Sequence, residues 1–354
     1  MKLDELLAYK KQVEKELRKE MDIERKAALR ESAKLAPFYD ATEEFTLRGG
    51  KRFRALLLLA GYHLAGGKDL KVPLPAAAAL ETFQSWMLIH DDVIDHSEVR
   101  RDGPAMHVAM AKYHADSNLL GGSVEFGEGA GITLGDMMEP LTVRLLLAPK
   151  VPEARKVALL REYAEMTRMT ALGQMLDIYL GSVPVEKVAE KDVLTVHHLK
   201  SAVYSVSSPL RMGAILAGAR APFLDKLGQA GDAMGIAFQL RDDVLGLGIS
   251  SVEEVGKSTN DLFEGKRTLL VVHAWTHAGA QERAALKKAL GNPLCTPREL
   301  EAAQDVIQDT GSITYSEEKI REFREKGMRT LRGMPKDTVA LMGEIGNLLT
   351  NRRS

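Results

Sequence analysis

Six residues, His90-Asp91-Asp92-Val93-Ile94-Asp95, close an apolar run that begins near Ala76. On a helix, positions four apart lie about 40° apart around the axis, so Asp91 and Asp95 present two carboxylates from one face. Isolated charge at the end of an apolar helix is costly. Carboxylate oxygens suit a hard cation such as Mg²⁺, which keeps waters and shares its shell with phosphate oxygens. The same segment also reads as a solvated helix end whose acids pair with Arg100 and Arg101. A second segment, Phe238-Gln239-Leu240-Arg241-Asp242-Asp243-Val244-Leu245-Gly246, repeats the theme. Acids at a helix C-terminus oppose the helix dipole, which favours a cation beside them. Two such helix ends facing each other would hold several Mg²⁺ ions around one diphosphate and make it a better leaving group, chemistry that needs no protein nucleophile.

Cations gather elsewhere. Gly49-Gly50-Lys51-Arg52-Phe53-Arg54 sets three of them beside a glycine pair at an expected helix start. Backbone N–H groups there attract anions, glycines allow close approach, and arginine adds forked donors for phosphate oxygens. Lys51 and Arg54, three apart, occupy neighbouring positions of one face. Arg100 and Arg101 follow the first acidic cluster, and Lys200, Lys257 and Lys266 lie near or beyond the helix ends of the second half. Each lysine alone reads as a surface charge; their placement matters only if the helices converge.

The elements that must position these groups read as helices with Gly/Pro punctuation. A charged outer helix carries a loose stripe of Leu3, Leu6, Leu7, Val13 and Leu17. Helices are expected over Lys51–Leu64, Ala76–Asp95, Met106–His114, Pro152–Gly173 and on to Tyr179, Lys191–Ala219, Ala221–Leu247 and Gly265–His277. Three more follow from Thr296, broken near Gly311 and Pro335. The Gly-rich stretch Gly121–Gly131 is expected to interrupt helix, which resumes by Ile132. Residues 246–256 are expected to form a loop. One all-α domain over residues 1–354, larger than a simple four-helix bundle, is the expected fold.

Composition agrees. Aromatics are only 5 % of 354 residues, and Lys+Arg (48) nearly balance Asp+Glu (49), so no general attraction to nucleic acid or anionic membrane is expected. One cysteine, Cys295, makes no internal disulfide, which fits a reducing compartment. No run approaches the ~20 apolar residues of a membrane span. The first 20 residues lack an apolar signal core, so a cytoplasmic protein is expected.

Together these motifs resemble the trans-isoprenyl diphosphate synthase family over about Gly49 to Thr268, in the family's order. The two acidic motifs, GGKRFR, the Arg100-Arg101 pair and GKSTNDLFEGKRT carry the resemblance. It implies antiparallel helices around a central cavity, and a homodimer. It implies that Asp91 and Asp95 bind two Mg²⁺ ions and Asp242 a third. Arg100, Lys200, Ser201, Gln239 and Lys257 would hold an allylic diphosphate, with Lys266 nearby. Gly50, Lys51, Arg54 and Arg101 would hold isopentenyl diphosphate, with Gln84 where many members have His. Gln174 and Asp177 would line the cavity. The implied reaction is ionisation, condensation and elimination, with Asp91, Asp95, Lys200 and Asp242 at its centre. One departure stands out: Gly246 occupies the place of a third Asp in the fullest second motif.

The helix before Asp91 should wall the growing product. Trp86 lies five residues upstream, roughly 7–8 Å along the axis, and Phe83 eight residues upstream. By resemblance, Trp86 with an uninterrupted DDVID implies a twenty-carbon product, geranylgeranyl diphosphate, with farnesyl diphosphate second. Read from the residues alone, Trp86 is equally a core side chain. A class I terpene cyclase shares the first acidic motif but would have no use for GGKRFR. A non-catalytic partner subunit would commonly have lost acids that Asp91, Asp92 and Asp95 retain. A plain helical scaffold leaves the recurrence of charges at helix ends unexplained.

Overall fold

The computed structural model describes residues 1–247, 261–292 and 294–351, and is mostly helix. The chain divides into two compact units, Met1–Leu160 with Met212–Ala219, and Arg161–Arg211 with Arg220–Ser354. Among the described residues, no helix is long and apolar enough to cross a membrane. Lys257 and the segment 248–255 lie outside the described residues.

The first unit contains α1 (Leu3–Leu7), α2 (Lys10–Glu31), α3 (Ala36–Leu47), α4 (Phe53–Leu64), α5 (Leu74–Ile94), α6 (Met106–Asp116), α7 (Ser123–Leu147) and the start of α8 (Glu153–Ser182). The two most apolar stretches of sequence became its buried helices. Every residue of α4 from Ala55 to Tyr62 is buried, and Ala76 to Leu80 of α5 are fully enclosed. The charged α2 buries only Val13, Leu17, Met21 and Ala28, a helical stripe on an otherwise wet surface. Helix α5 packs against α2, α4 and α7.

Of the glycines expected to break helix, Gly121 and Gly122 do so, whereas Gly127, Gly129 and Gly131 lie within α7. Helix α7 begins at Ser123, and its glycines form a seam at helical spacing. A Cβ on Gly127 would fall 2.3 Å from the His107 carbonyl oxygen, and one on Gly135 would fall 2.4 Å from the His90 ring. These glycines let the α6 backbone and the His90 ring of α5 lie directly against α7, and the packing gained outweighs glycine's poor helix propensity. A buried hydrogen bond between the Thr82 and Thr142 hydroxyls, 2.7 Å, ties α5 to α7.

The second unit holds the rest of α8, α9 (Glu190–Val196), a π-helical segment (His197–Ser207), the start of α10 (Ser208–Ala217), then α11 (Ala221–Gly246), α12 (Leu269–His277), α13 (Ala280–Ala289), α14 (Pro297–Asp309), α15 (Ser312–Thr330) and α16 (Lys336–Thr350). The expected helix over Lys191–Ala219 is therefore widened in its middle, and α13 had no counterpart in the sequence reading. The three expected C-terminal helices are present. Gly311, at φ 71°, ends one, and Pro335 precedes the last. Helix α11 is the spine of this unit, with Leu227, Met234, Phe238 and Leu240 buried against neighbours that include the π segment and α15. Gly231 and Gly235 meet the backbone of Ser207 and Ala202 at 2.6 Å from a notional Cβ.

Glycines of α7 are thus separable by function. Gly127→Val is expected to lower stability by about 1–3 kcal/mol through overpacking. Gly129 meets nothing within 4 Å, so Gly129→Ala is expected to raise stability by up to ~1 kcal/mol through helix propensity. Thermal unfolding of the two variants checks the opposite signs.

Candidate active site

In the first unit, α5 ends in a Schellman turn: Ser97 N–H bonds the Asp92 carbonyl at 2.9 Å, His96 N–H faces the Val93 carbonyl at 3.4 Å, and His96 takes φ 53°. This stop leaves Asp91, Asp92 and Asp95 crowded at the negative pole of the helix. Asp92 is fully buried and accepts from Arg100 Nε at 2.8 Å. Arg100 also stands 3.9 Å from Asp91. Burial pushes the Asp92 carboxyl up to about 6 against the pull of Arg100, and Asp91 and Asp95 push it the same way. Asp92 thus anchors Arg100 from below. The pairing of acids with Arg100, one of the two sequence readings, is present, and it draws chiefly on Asp92.

Arg100 belongs to a two-residue hairpin, β1 (Val99–Arg100) against β2 (Gly103–Pro104). The central residues Arg101 and Asp102 have φ 52° and 61°, the left-handed pair that such a turn requires. Neither is glycine, so the turn carries strain that its surroundings must hold. Arg48 does so by donating to the carbonyls of Arg100 (2.8 Å) and Pro104 (3.0 Å). In return Arg101 donates to the Arg48 carbonyl at 3.2 Å.

The GGKRFR segment meets this hairpin. Gly49 and Gly50 take φ 53° and 94°, and Arg52, at φ 55°, caps α4, which starts two residues later than expected. A Cβ on Gly50 would sit 3.5 Å from the guanidinium carbon of Arg101. Arg101 is pushed down to about 10 by burial; Glu81 opposes this, while Arg52, Arg54 and Arg100 add to it. Four arginines therefore share one neighbourhood. Arg52 turns inward, donating to Glu81 at 3.1 Å, with both side chains 1 % exposed. Lys51 is exposed and Arg54 half-buried. The forked donors of Arg54 and Arg101 suit a polyanion.

Gln84 is half-buried on α5, seven residues before Asp91 and so on nearly the same face. Phe83 is fully buried and meets the Trp86 ring edge-on at 5.8 Å. Trp86 in turn lies 6.1 Å from the His90 ring and beside Gly135 of α7.

In the second unit, Gly173 of α8 would place a Cβ 2.3 Å from the Lys200 backbone nitrogen. This close crossing brings Lys200 Nζ to Asp177 Oδ2 at 2.6 Å. Lys200 and Ser201 ride on the π segment, a form of helix frequent at functional sites. Gln174, half-buried, lies three residues before Asp177 on α8. Gln239 donates to Asp243 Oδ1 at 2.9 Å, and His197 Nε2 stands 3.0 Å from Asp243 Oδ2. Asp243 is buried, whereas Asp242 is half-buried. Lys266 pairs with Glu264 at 2.5 Å. The missing third acid also has a steric counterpart, since a Cβ on Gly246 would fall 2.4 Å from Asp261 Oδ2.

Among the described residues, no three His, Cys, Asp or Glu side chains are grouped to hold a cation unaided. The paired Asp91 and Asp95 carboxylates nonetheless have the hard-oxygen chemistry of Mg²⁺, which ordinarily completes its shell with water and phosphate. Sequence reasoning missed Arg48, Glu81 and His197, and it named Arg52 among the clustered cations without its inward pairing to Glu81. Glu81 had a signal, being the lone charged residue between Leu74 and Ile89.

The Polyprenyl synthetase family profile matches residues 36–307. The chain belongs to the polyprenyl synthetase family. A geranylgeranyl diphosphate synthase of Methanosarcina mazei is 31 % identical over 320 residues, 89 % of each chain. A geranylfarnesyl diphosphate synthase of Aeropyrum pernix is 30 % identical over 292 residues, 81 % of this chain and 84 % of that one. The crystal structure of a Corynebacterium glutamicum geranylgeranyl pyrophosphate synthase, complexed with isoprenyl diphosphate and magnesium, superposes with TM-score 0.91 at 29 % identity over the whole of both chains. The expected family and all-α fold are thereby borne out.

For this polyprenyl synthetase, Glu81→Ala would leave Arg52 buried among other arginines, with only the part-exposed Glu14, 3.5 Å from its Nε, to offset its charge. A loss of about 3–5 kcal/mol is expected, whereas the paired change Arg52→Met with Glu81→Leu should recover much of it. Denaturant unfolding of the single and double variants decides this.

Proposed function

We propose that the chain is a short-chain trans-prenyltransferase condensing isopentenyl diphosphate with an allylic diphosphate, with geranylgeranyl diphosphate as product. The observation that carries this reading is the convergence, within one unit, of Arg54 and Arg101 with Arg100 and the carboxylates of the α5 end. A terpene cyclase would have no second diphosphate for those arginines, and a non-catalytic subunit would have no need of Asp91 and Asp95. The relatives named for geranylgeranyl and geranylfarnesyl synthesis support a product of that size range.

Asp91, Asp95 and Asp242 would hold up to three Mg²⁺ ions, which when bound neutralise a diphosphate and make it a better leaving group. Lys200, held by Asp177, Gln239, held by Asp243, and Arg100, held by Asp92, fix the allylic diphosphate, with Ser201, Lys257 and Lys266 near it. Arg54, Arg101 and Lys51, at the Gly50 turn, fix isopentenyl diphosphate, with Gln84 beside them. The C–O bond to the allylic diphosphate breaks. The isopentenyl double bond attacks the resulting cation, and a proton passes to the departing diphosphate. Positioning both substrates supplies much of the acceleration. Gln174 and Asp177 line the cavity, and Trp86 over Phe83 limits product length. Leu172, Met175, Ile178 and Tyr179 stand exposed along α8, which supports a homodimer. A cytoplasmic location fits this activity.

The purified chain, given labelled isopentenyl diphosphate, Mg²⁺ and dimethylallyl, geranyl or farnesyl diphosphate, is expected to yield a twenty-carbon product. Asp91→Ala should lower the rate by at least ~100-fold, the scale of several kcal/mol of charge stabilisation. No condensation with any primer would sink the reading. Trp86→Ala is expected to lengthen the product by five-carbon units, and an unchanged length would exclude Trp86 as the stop. Gly246→Asp, which sets a second carboxylate against Asp261, is expected to slow condensation rather than speed it.

A further inference from the structure

The backbone of the turn 261–266 closes on itself. Lys266 N–H bonds the Asp261 carbonyl at 3.0 Å and Gly265 N–H bonds the Leu262 carbonyl at 3.1 Å, with Gly265 at φ 71°. These bonds set the shape of the turn, and Arg267 joins it to α8. Arg267 is half-buried. Its Nη1 donates to the Gly265 carbonyl at 2.7 Å, and its Nη2 donates to the carbonyls of Gly181 and Val183 at 3.2 and 3.0 Å. Gly181 belongs to the last turn of α8 and Val183 follows its end. Carbonyls there lack intrahelical partners, and the helix dipole favours a cation. Burial pushes the Arg267 pKa down, with the Glu186 charge opposing it. The bonds that hold Arg267 are therefore directional ones to carbonyls, made by the two prongs of one planar fork.

The same end of α8 serves another lysine. Asp177, one turn before Gly181, holds Lys200 Nζ at 2.6 Å. Lys200 is thus referred to α8 through Asp177, and Lys266 is referred to it through the fork of its neighbour. We propose that Arg267 is a positioning residue for the allylic diphosphate, keeping Lys266 in register with Lys200 by fastening the turn 261–266 to the end of α8. The proposal rests on the reading above, in which both lysines serve that diphosphate, and Arg267 acts in it through Lys266. The fork is the essential feature. A lysine at 267 would keep the charge, but its single Nζ has no second prong to grip the turn and the helix end together.

The test compares the full chain with Arg267→Met, Arg267→Lys, Lys266→Met and the double variant Arg267→Met with Lys266→Met. Calorimetry gives the Kd for geranyl diphosphate with Mg²⁺ and no isopentenyl diphosphate; steady-state rates then give kcat and a KM for each substrate. Arg267→Met is expected to weaken geranyl diphosphate binding by about 10-fold or more, the effect of a small misplacement, with the KM for isopentenyl diphosphate little moved. Arg267→Lys should recover little of this. The double variant should bind no more weakly than Lys266→Met alone, because two changes along one path do not add. Additive losses in the double variant, full recovery by Arg267→Lys, or equal rises in both KM values would each overturn the proposal. So would a lowered Tm with Kd unmoved, which would leave Arg267 a brace of the fold only. A wild-type chain that binds geranyl diphosphate with these differences but condenses nothing would sink the catalytic reading and leave this proposal standing; one that binds none would overturn both.

Discussion

Carboxylates at the negative pole of an apolar helix are the constraint around which this molecule is arranged. Helix α5 is buried for most of its length, yet it ends on three aspartates where its own dipole repels them. Its Schellman turn prevents the chain from carrying them away into solvent. The charge is managed unequally. Asp92 is buried, held by Arg100 and raised in pKa, whereas Asp91 and Asp95, the pair four residues apart, are half-buried. Helix α11 repeats the division in the other unit, where Asp243 is buried beside His197 and Gln239 while Asp242 stays half-exposed. In each motif one acid is buried against its partners, and its neighbour is only half-buried.

The opposite charge is handled with equal economy. Four arginines cluster near the hairpin after α5, and such a cluster repels itself. Arg52 is turned inward and neutralised by Glu81, so it serves as a brace for its neighbours. The backbone carries the rest of the strain: Gly49, Gly50, Arg52, Arg101 and Asp102 all adopt positive φ. Arg48 pins the hairpin through two carbonyl acceptors, which explains how non-glycine residues persist in a left-handed turn. Backbone conformation and charge placement therefore depend on each other here.

Glycine serves a different purpose in the helices. Gly127 and Gly135 in α7, Gly173 in α8 and Gly235 in α11 each face another backbone or a ring at a distance no Cβ could share. The close approach at Gly173 sets Lys200 against Asp177, and the one at Gly135 sets His90 beside α7. Packing and site geometry are joined at these contacts, so a methyl group added far from the chemistry reaches it through one helix crossing.

The sequence by itself determined the helical class, the buried helices α4 and α5, the C-terminal trio and the motifs that name the family. Periodicity, apolar runs and glycine–proline breaks are local properties, and the motif spacings are written along one strand of chain. It could not reveal that Gly121–Gly131 mostly continues as helix, because a glycine that ends a helix and one that packs it against a neighbour look alike until the neighbour is present. Nor could it separate Arg52 from Arg54, or Asp243 from Asp242. Adjacent like residues have the same chemistry, and only tertiary burial decides which of them pairs inward. The partners of Arg52 and Lys200 are 29 and 23 residues distant. Such pairings arise from how helices cross, which is a property of the folded chain and of no single segment.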